Sequence, residues 1–275
     1  MASPLYNERA KTTKVNYRRV LGQLRDGYGT GLLRDLEPRI VRRIRNEIAS
    51  ASTTGADIAM SLISTLWEFA VEQLGQDKLG ADPTHGIKQV HEGKREHEPW
   101  PAELIERFLR EAKPSLRWAV KLALYTGQRR SDLVKMKWSD FDGESIQVCQ
   151  QKTGASLSIP CHKALRAELE NMPRVADTIL VGDRGSPLLA DSLRAAVRKQ
   201  LRAMGVDSYS IHGLRKNAAV ELINAGCRDA EVMAITGHKT SAMVAHYSKK
   251  RDQRELASAA MDKWEQSGKP KNRAG

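Results

Sequence analysis

Between Gly80 and Pro101 the chain loses all apolar periodicity, and this gap constrains its folding more than any other feature. The stretch carries Pro83, Gly86, Gly93, Pro99 and Pro101 around the polar run His91-Glu92-Gly93-Lys94-Arg95-Glu96-His97-Glu98. Proline removes a backbone donor and glycine loses the most entropy on ordering, so no helix or strand runs through such a segment. The 275 residues are therefore read as two folding units. We expect a helical unit at residues 1–90, a linker at 91–100 and a second unit at 101–275.

The patterns on the two sides differ. Before the gap, Val15, Leu21 and Leu24 recur at near-helical spacing up to the break at Gly27-Tyr28-Gly29. A second helix, Glu37 to Ile48, puts Ile40, Val41, Ile44 and Ile48 on one face, with Arg39, Arg42, Arg43 and Arg45 largely around them. A third begins near Thr53-Thr54 and carries Ile58, Leu62, Ile63, Leu66, Phe69 and Ala70.

After the gap the reading is mixed. Helices are expected at Ala102–Glu111, Leu116–Tyr125 and Arg130–Met136, then strands at Trp138–Asp142, Ser145–Gln150 and Ser156–Pro160. Asp142-Gly143 is a hairpin signal, and Lys152-Thr153-Gly154 marks a second turn. Helices follow at 163–172, 190–204, 212–225, 229–236, 240–247 and about 252–266, with a short tail. The expected fold is mostly α with a small three-stranded antiparallel sheet, an α+β arrangement.

Charge narrows the partner. Lys and Arg number 45 against 33 Asp and Glu, a net +12 with a pI near 9.7. Such a surplus attracts polyanions. Only 5% of residues are aromatic, too few for a base-stacking platform on single strands, so double-stranded DNA held by its phosphates is the expected partner. The cluster Arg39, Arg42, Arg43 and Arg45 reads either as a solvated face or as a DNA contact. No run approaches the roughly 20 apolar residues of a membrane span, and MASPLYNERAKTTK lacks a secretory apolar stretch. Cys149, Cys161 and Cys227 are too few and scattered for a disulfide framework or a four-ligand zinc site. His91 and His97 lack a further ligand at suitable spacing. These features predict a cytoplasmic protein, associated with the nucleoid, with no membrane partner and no metal.

Three short stretches carry chemistry: Thr126-Gly127-Gln128-Arg129-Arg130-Ser131-Asp132, His212-Gly213-Leu214-Arg215, and Gly237-His238 followed by Tyr247. Each alone has an ordinary structural explanation. Together they form a kit for metal-free attack on a phosphodiester. Two arginines can clamp non-bridging oxygens in bidentate fashion. Two histidines can move protons or donate hydrogen bonds. A tyrosine can supply the nucleophile, and Lys152 on a hairpin can protonate a leaving 5′ oxygen.

In this order the residues resemble the tyrosine recombinases of the phage-integrase type. Thr126-Gly127-Gln128-Arg129 resembles their first arginine box, Lys152 their hairpin lysine and His212-x-x-Arg215 their second box. Gly237-His238 matches the position filled by His or Trp, and Tyr247 falls at the nucleophile's spacing. Arg130 rivals Arg129, but the Thr-Gly-x-Arg pattern favours Arg129 and leaves Arg130 a phosphate or structural contact. Asp132 stands where the family more often has Glu, in the position that steadies the first arginine.

The resemblance is strong over roughly 100–265 and looser over 12–90. It implies a two-domain clamp, a helical core-binding domain and a catalytic domain, closing around core recombination sites. It further implies a 3′-phosphotyrosyl intermediate, a Holliday junction, no cofactor, a homotetramer on paired sites and DNA-bending accessory proteins. Many members carry a further arm-site domain; too few residues precede Thr12 for one, so the expectation is either that the protein works without it or that this chain is incomplete. The apolar stripe Leu256, Ala260, Met261 and Trp264 is expected to be buried, on a neighbouring protomer if the resemblance holds. Two rival readings are a type IB topoisomerase, which shares this active site, and a non-catalytic regulator using Glu221 to Tyr247 as a helix-turn-helix. The second leaves Lys152 and the first arginine box without a role.

Overall fold

The computed structural model describes residues 4–90, 97–241 and 253–266. The chain divides into two compact units, Met1–Arg95 and Glu96–Gly275.

The first unit is helical: α1 (Pro4–Asn7), α2 (Lys11–Tyr28), α3 (Pro38–Ala51), α4 (Thr53–Leu74) and α5 (Gln76–Leu79), with a 3-10 turn at Leu33–Asp35. Pro38 starts α3, where its missing N–H costs nothing. Ser52 starts α4 by accepting a 3.0 Å bond from the Gly55 amide. Val20, Val41, Ile44, Ala59, Met60, Leu62 and Ile63 form the core between α2, α3 and α4. Leu66 and Phe69, read on the apolar stripe of α4, are 48% and 60% exposed.

Part of the breaker-rich gap belongs to this unit through polar bonds that apolar periodicity does not reveal. Asp82 accepts from the Ser64 hydroxyl at 2.6 Å and from the Thr84 amide and hydroxyl, both at 2.8 Å. The Val90 amide donates to Asp57 at 2.9 Å, and Arg45 donates to the Lys88 carbonyl at 2.9 Å.

The second unit contains α6 (Ala102–Glu111), α7 (Pro114–Thr126), α8 (Arg130–Leu133), β1 (Ser145–Cys149), β2 (Ser156–Pro160), α9 (Lys163–Asn171), α10 (Ala190–Ala203), α11 (Ile211–Asn224), α12 (Asp229–Thr236) and α13 (Gln253–Gln266). One apolar core joins them, with Phe108, Ala119, Ile146, Leu193 and Leu214 fully buried. Trp100, expected in the linker, is part of that core at 2% exposure. Its amide donates to the Asn217 side chain at 2.7 Å, its carbonyl accepts from Asn217 at 2.8 Å, and its indole N–H donates to the Ser210 carbonyl at 2.8 Å. With every polar group satisfied, burying the large ring is favourable.

The sheet is a two-stranded antiparallel hairpin, β1 with β2, pairing Ile146 with Ile159 and Val148 with Leu157. The third strand expected at Trp138–Asp142 is not there. Trp138–Asp140 forms a 3-10 turn because the Asp140 carboxylate accepts from the Lys137 amide at 2.8 Å, and the Trp138 amide donates to Asp177 at 2.9 Å. Local side-chain bonds thus outcompete the ladder, and Phe141 alone makes an isolated bridge to Ile146. Most of the helix expected at 240–247 lies outside the described residues. On α13, whose stripe was expected to be buried on a neighbouring protomer, Met261 is 54% and Trp264 63% exposed in the single chain. No described helix is long and apolar enough to cross a membrane.

Candidate active site

Two glycines gather the site. Gly127 ends α7 in the left-handed conformation, φ 62°, and a Cβ there would meet Thr236 Cγ2 at 3.0 Å and Ala218 Cβ at 3.2 Å. Gly237 ends α12 likewise, φ 69°, and a Cβ there would run into the side-chain amide of Gln150. The ends of α7 and α12 therefore approach α11 and the β1–β2 loop closely. Arg129, in extended backbone just before α8, leaves this crossing point beside Gln150.

Arg215 on α11 is 3% exposed, and its Nη1 donates to the carbonyls of Gly127 at 2.7 Å and Thr236 at 2.5 Å. Arg129 Nη1 donates to Gln150 Oε1 at 2.9 Å. His238 sits one turn on: Thr236 Oγ1 donates its single proton to the Val232 carbonyl at 2.7 Å and lies 2.7 Å from His238 Nδ1. With the hydroxyl proton committed, His238 is assigned as the tautomer whose Nδ1–H donates to Thr236. Burial, then Arg215, Arg129 and His212, lower the His238 pKa to about 4. Burial, then His97, Arg215, Arg129 and Lys216, lower His212 to about 4 as well. His212 is nonetheless an exposed residue by surface area, and its ring lies edge-on to His97, centroids 4.9 Å apart. Both histidines are thus neutral near pH 7 beside two guanidinium cations.

Lys152 is exposed on the loop between β1 and β2, which closes through Gln150 N–H to Ala155 and Gly154 N–H to Gln150, both 2.8 Å. The loop is fixed to α8 by Asp132, which accepts from the Gln151 amide at 3.0 Å, and by Gln151 Nε2, which donates to Ser131 at 2.6 Å. Asp132, expected to steady the first arginine, makes its bond to this loop. Its carboxylate, 2% exposed, faces the residue before Lys152, while Arg129 turns to Gln150. Among the described residues its second oxygen has no hydrogen-bond partner.

Of the adjacent arginines, Arg129 joins this network and Arg130 pairs with Asp191 of α10 at 3.1 Å. Tyr247 lies outside the described residues. In the first unit, Arg39 pairs with Glu37 at 2.7 Å, Arg43 with Glu47 at 3.9 Å, Arg45 holds Lys88, and Arg42 is exposed. Among the described residues no three His, Cys, Asp or Glu side chains are grouped to hold a metal.

Sequence reasoning missed Gln150 and Gln128. Gln150 is fully buried; its Nε2 donates to Gln128 Oε1 at 2.6 Å and to the Thr236 carbonyl at 2.9 Å. Gln128, 2% exposed, donates to the Thr126 and Ile235 carbonyls at 2.9 Å. The signal was present: Ile146, Val148 and Gln150 share one face of a strand, and a polar residue on a core face must find partners.

Comparison with known proteins decides the family. Residues 101–254 match the model of the phage integrase family. The chain belongs to that family. The integrase of Escherichia phage lambda is 26% identical over 254 residues, covering 86% of this chain and 69% of the relative. A Corynebacterium glutamicum tyrosine recombinase XerC is 31% identical over 157 residues, 53% of this chain and 49% of the relative. A crystal structure of a lambda integrase dimer bound to a COC' core site superposes with a TM-score of 0.74 at 25% identity, over 90% of this chain and 73% of that one. A lambda integrase tetramer bound to a Holliday junction shares the fold, with a TM-score of 0.72 at 24% identity, over 86% of this chain and 74% of that one. This integrase is thus a site-specific tyrosine recombinase, an enzyme that transfers DNA strands.

Proposed function

We propose that this integrase cuts and rejoins duplex DNA through a covalent bond between Tyr247 and a 3′ phosphate. Arg129 and Arg215 hold the two non-bridging oxygens of the scissile phosphate and balance the charge of the pentacovalent transition state. The Tyr247 oxygen attacks phosphorus, and its proton passes to a neutral imidazole, His212 or His238. The bond from phosphorus to the 5′ oxygen breaks, and Lys152 gives that oxygen its proton. One phosphate ester replaces another, so the bond is conserved and no cofactor is required. A 5′ hydroxyl from a partner duplex then reverses the step, giving a Holliday junction and, after a second round, recombinants.

The observation that supports this reading most is the convergence of Arg129, Arg215 and His238 on the Gln150–Thr236 junction, from segments far apart in the chain. In this proposal the first unit binds core-site DNA, with Arg39, Arg42, Arg43, Arg45 and Arg130 as backbone contacts, and the two units act together as a clamp. Four copies assemble on paired sites, with α13 docking on a neighbouring copy. The setting is the cytoplasm, on nucleoid DNA, with DNA-bending proteins as accessory partners.

The test is Tyr247→Phe on a nicked suicide duplex. The variant binds the site and forms no covalent complex, whereas the parent protein is captured. A covalent complex that persists in the variant removes Tyr247 from the role.

A further inference from the structure

Gln150 has two donors and one acceptor oxygen on its side chain, and every one is used in a fully dry setting. Oε1 accepts from Arg129 Nη1 at 2.9 Å and from Thr153 Oγ1 at 2.8 Å. Nε2 donates to Gln128 Oε1 at 2.6 Å and to the Thr236 carbonyl at 2.9 Å. These four partners lie in three different segments: the first arginine box, the Lys152 loop, and the turn that leads to His238. The Thr236 carbonyl also accepts from Arg215. One amide thus touches the support of every cationic group in the site.

We propose that Gln150 is a positioning residue for strand cleavage. Its amide presets the Arg129 guanidinium and the loop bearing Lys152 as one unit, so the phosphate clamp and the leaving-group acid arrive in register. The inference rests on the functional reading above and deepens it. The physical case is the orientation of the acceptor. A neutral oxygen holds the Arg129 fork without neutralising it, so the guanidinium keeps its charge for an incoming phosphate. The same oxygen takes the hydroxyl of Thr153, the residue beside Lys152, so one acceptor anchors both arms through two bonds that can be cut one at a time.

The experiment measures single-turnover cleavage at saturating protein on two duplexes. One has the ordinary scissile phosphate and the other has sulfur in place of the bridging 5′ oxygen. A thiolate leaves near neutral pH without a proton donor, so sulfur bypasses Lys152 and does nothing for Arg129. Lys152→Ala, restored by sulfur, and Arg129→Ala, not restored, calibrate the two limits. Gln150→Met keeps the side chain's length and removes its polar atoms. It is expected to slow oxygen cleavage about 10²-fold, the scale of losing one preorganised donor. Sulfur is expected to recover about tenfold of this and leave a deficit of about tenfold.

Full recovery would mean that Gln150 serves the lysine loop alone, and no recovery that it serves the arginine alone. Either result, or parent-like cleavage of the oxygen duplex, overturns the proposal. Should Gln150→Met fail to fold, Thr153→Val cuts only the loop arm. It is expected to cost about fivefold with oxygen, a fraction of one preorganised donor, and nothing with sulfur. No loss, or a loss that sulfur leaves in place, overturns the assignment of the Thr153 bond to the lysine loop and the proposal with it. Absence of Tyr247-dependent capture by the parent protein, read in the same gels, would overturn the functional reading and this inference with it. A parent that cleaves while both variants match it overturns this inference alone.

Discussion

The arginines of the two units share a charge and differ in everything else. On α3, the Arg39 and Arg43 side chains are 80% and 64% exposed and lean on Glu37 and Glu47. In the second unit Arg215 is 3% exposed and locked between the carbonyls of Gly127 and Thr236. An exposed pair contributes about 0–1 kcal/mol and gives way easily, so an α3 arginine can leave its acid for a phosphate. A buried guanidinium held by carbonyl dipoles needs no rearrangement when charge develops in front of it. In the proposed function the first kind of arginine would set affinity and the second rate. Net charge of +12 counts them alike.

The largest expected effect tests that distinction directly. Arg215→Lys keeps the positive charge but gives up the planar guanidinium whose Nη1 donates to both the Gly127 and Thr236 carbonyls, and an ammonium has three donors in place of five. Cleavage at saturating protein should fall on the order of 10²–10³, with site affinity within about threefold. Single-turnover rates and gel-shift affinities measured side by side provide the check. A lysine variant that cleaves within about threefold of the parent, well short of the loss of a preorganised donor, would mean that charge alone matters there, and the contrast between units would collapse.

The ease of reading the two regions from sequence runs the other way from their chemistry. The helices of the first unit follow from Ile40, Val41, Ile44 and Ile48 recurring on one face, because one apolar stripe is enough to seat a helix. The exposure of Leu66 and Phe69 does not follow, since α2 and α3 cover one side of α4 and periodicity does not say how much of it. In the second unit Arg129, Lys152, His212, Arg215 and His238 stand out in the sequence because each belongs to a short local motif. The groups that hold them do not. The bond from Gln151 to Asp132 was not legible, since the direction of the carboxylate depends on where the β1–β2 loop lands. Gln150 carries no charge and hides beside Lys152. Trp100 sits among breakers, and its burial depends on Asn217, far away in the sequence. The strand at Trp138–Asp142 failed because Asp140 capped its own turn.

Acid sharpens the comparison next. His212 and His238 are held at about 4, burial first and neighbouring cations second, against an ordinary value of about 6.5. Between pH 6.5 and 4 the unfolded chain therefore binds more protons than the folded one, so stability rises with pH through that window. The stabilisation is complete above about 6.5 and is lost as pH falls toward about 4. Urea midpoints of the parent should drop on going from pH 7 to pH 4.5. The double variant His212→Gln/His238→Gln should show a smaller drop. An equal drop in both proteins would place the acid-sensitive groups elsewhere and remove the cation-crowded site as its source.

The smallest effect is expected inside the first unit, where the arginines themselves divide. Arg42 is exposed, whereas Arg45 spends its guanidinium on the Lys88 carbonyl and Asn46. If Arg42 meets one phosphate, Arg42→Ala should weaken DNA binding a few-fold at low salt and less at high salt. The log–log salt slope should become shallower by about 0.9, the release of one condensed counterion. Arg45→Ala removes a bond that ties residue 88 to α3, so its cost should appear as a lowered unfolding midpoint with little change in slope. Titrations at several salt concentrations, paired with thermal melts, separate the two. If Arg45→Ala changes the slope and Arg42→Ala does not, the structural bond to Lys88 is one the arginine abandons on DNA. The division between holding and binding would then run through a single side chain rather than between two.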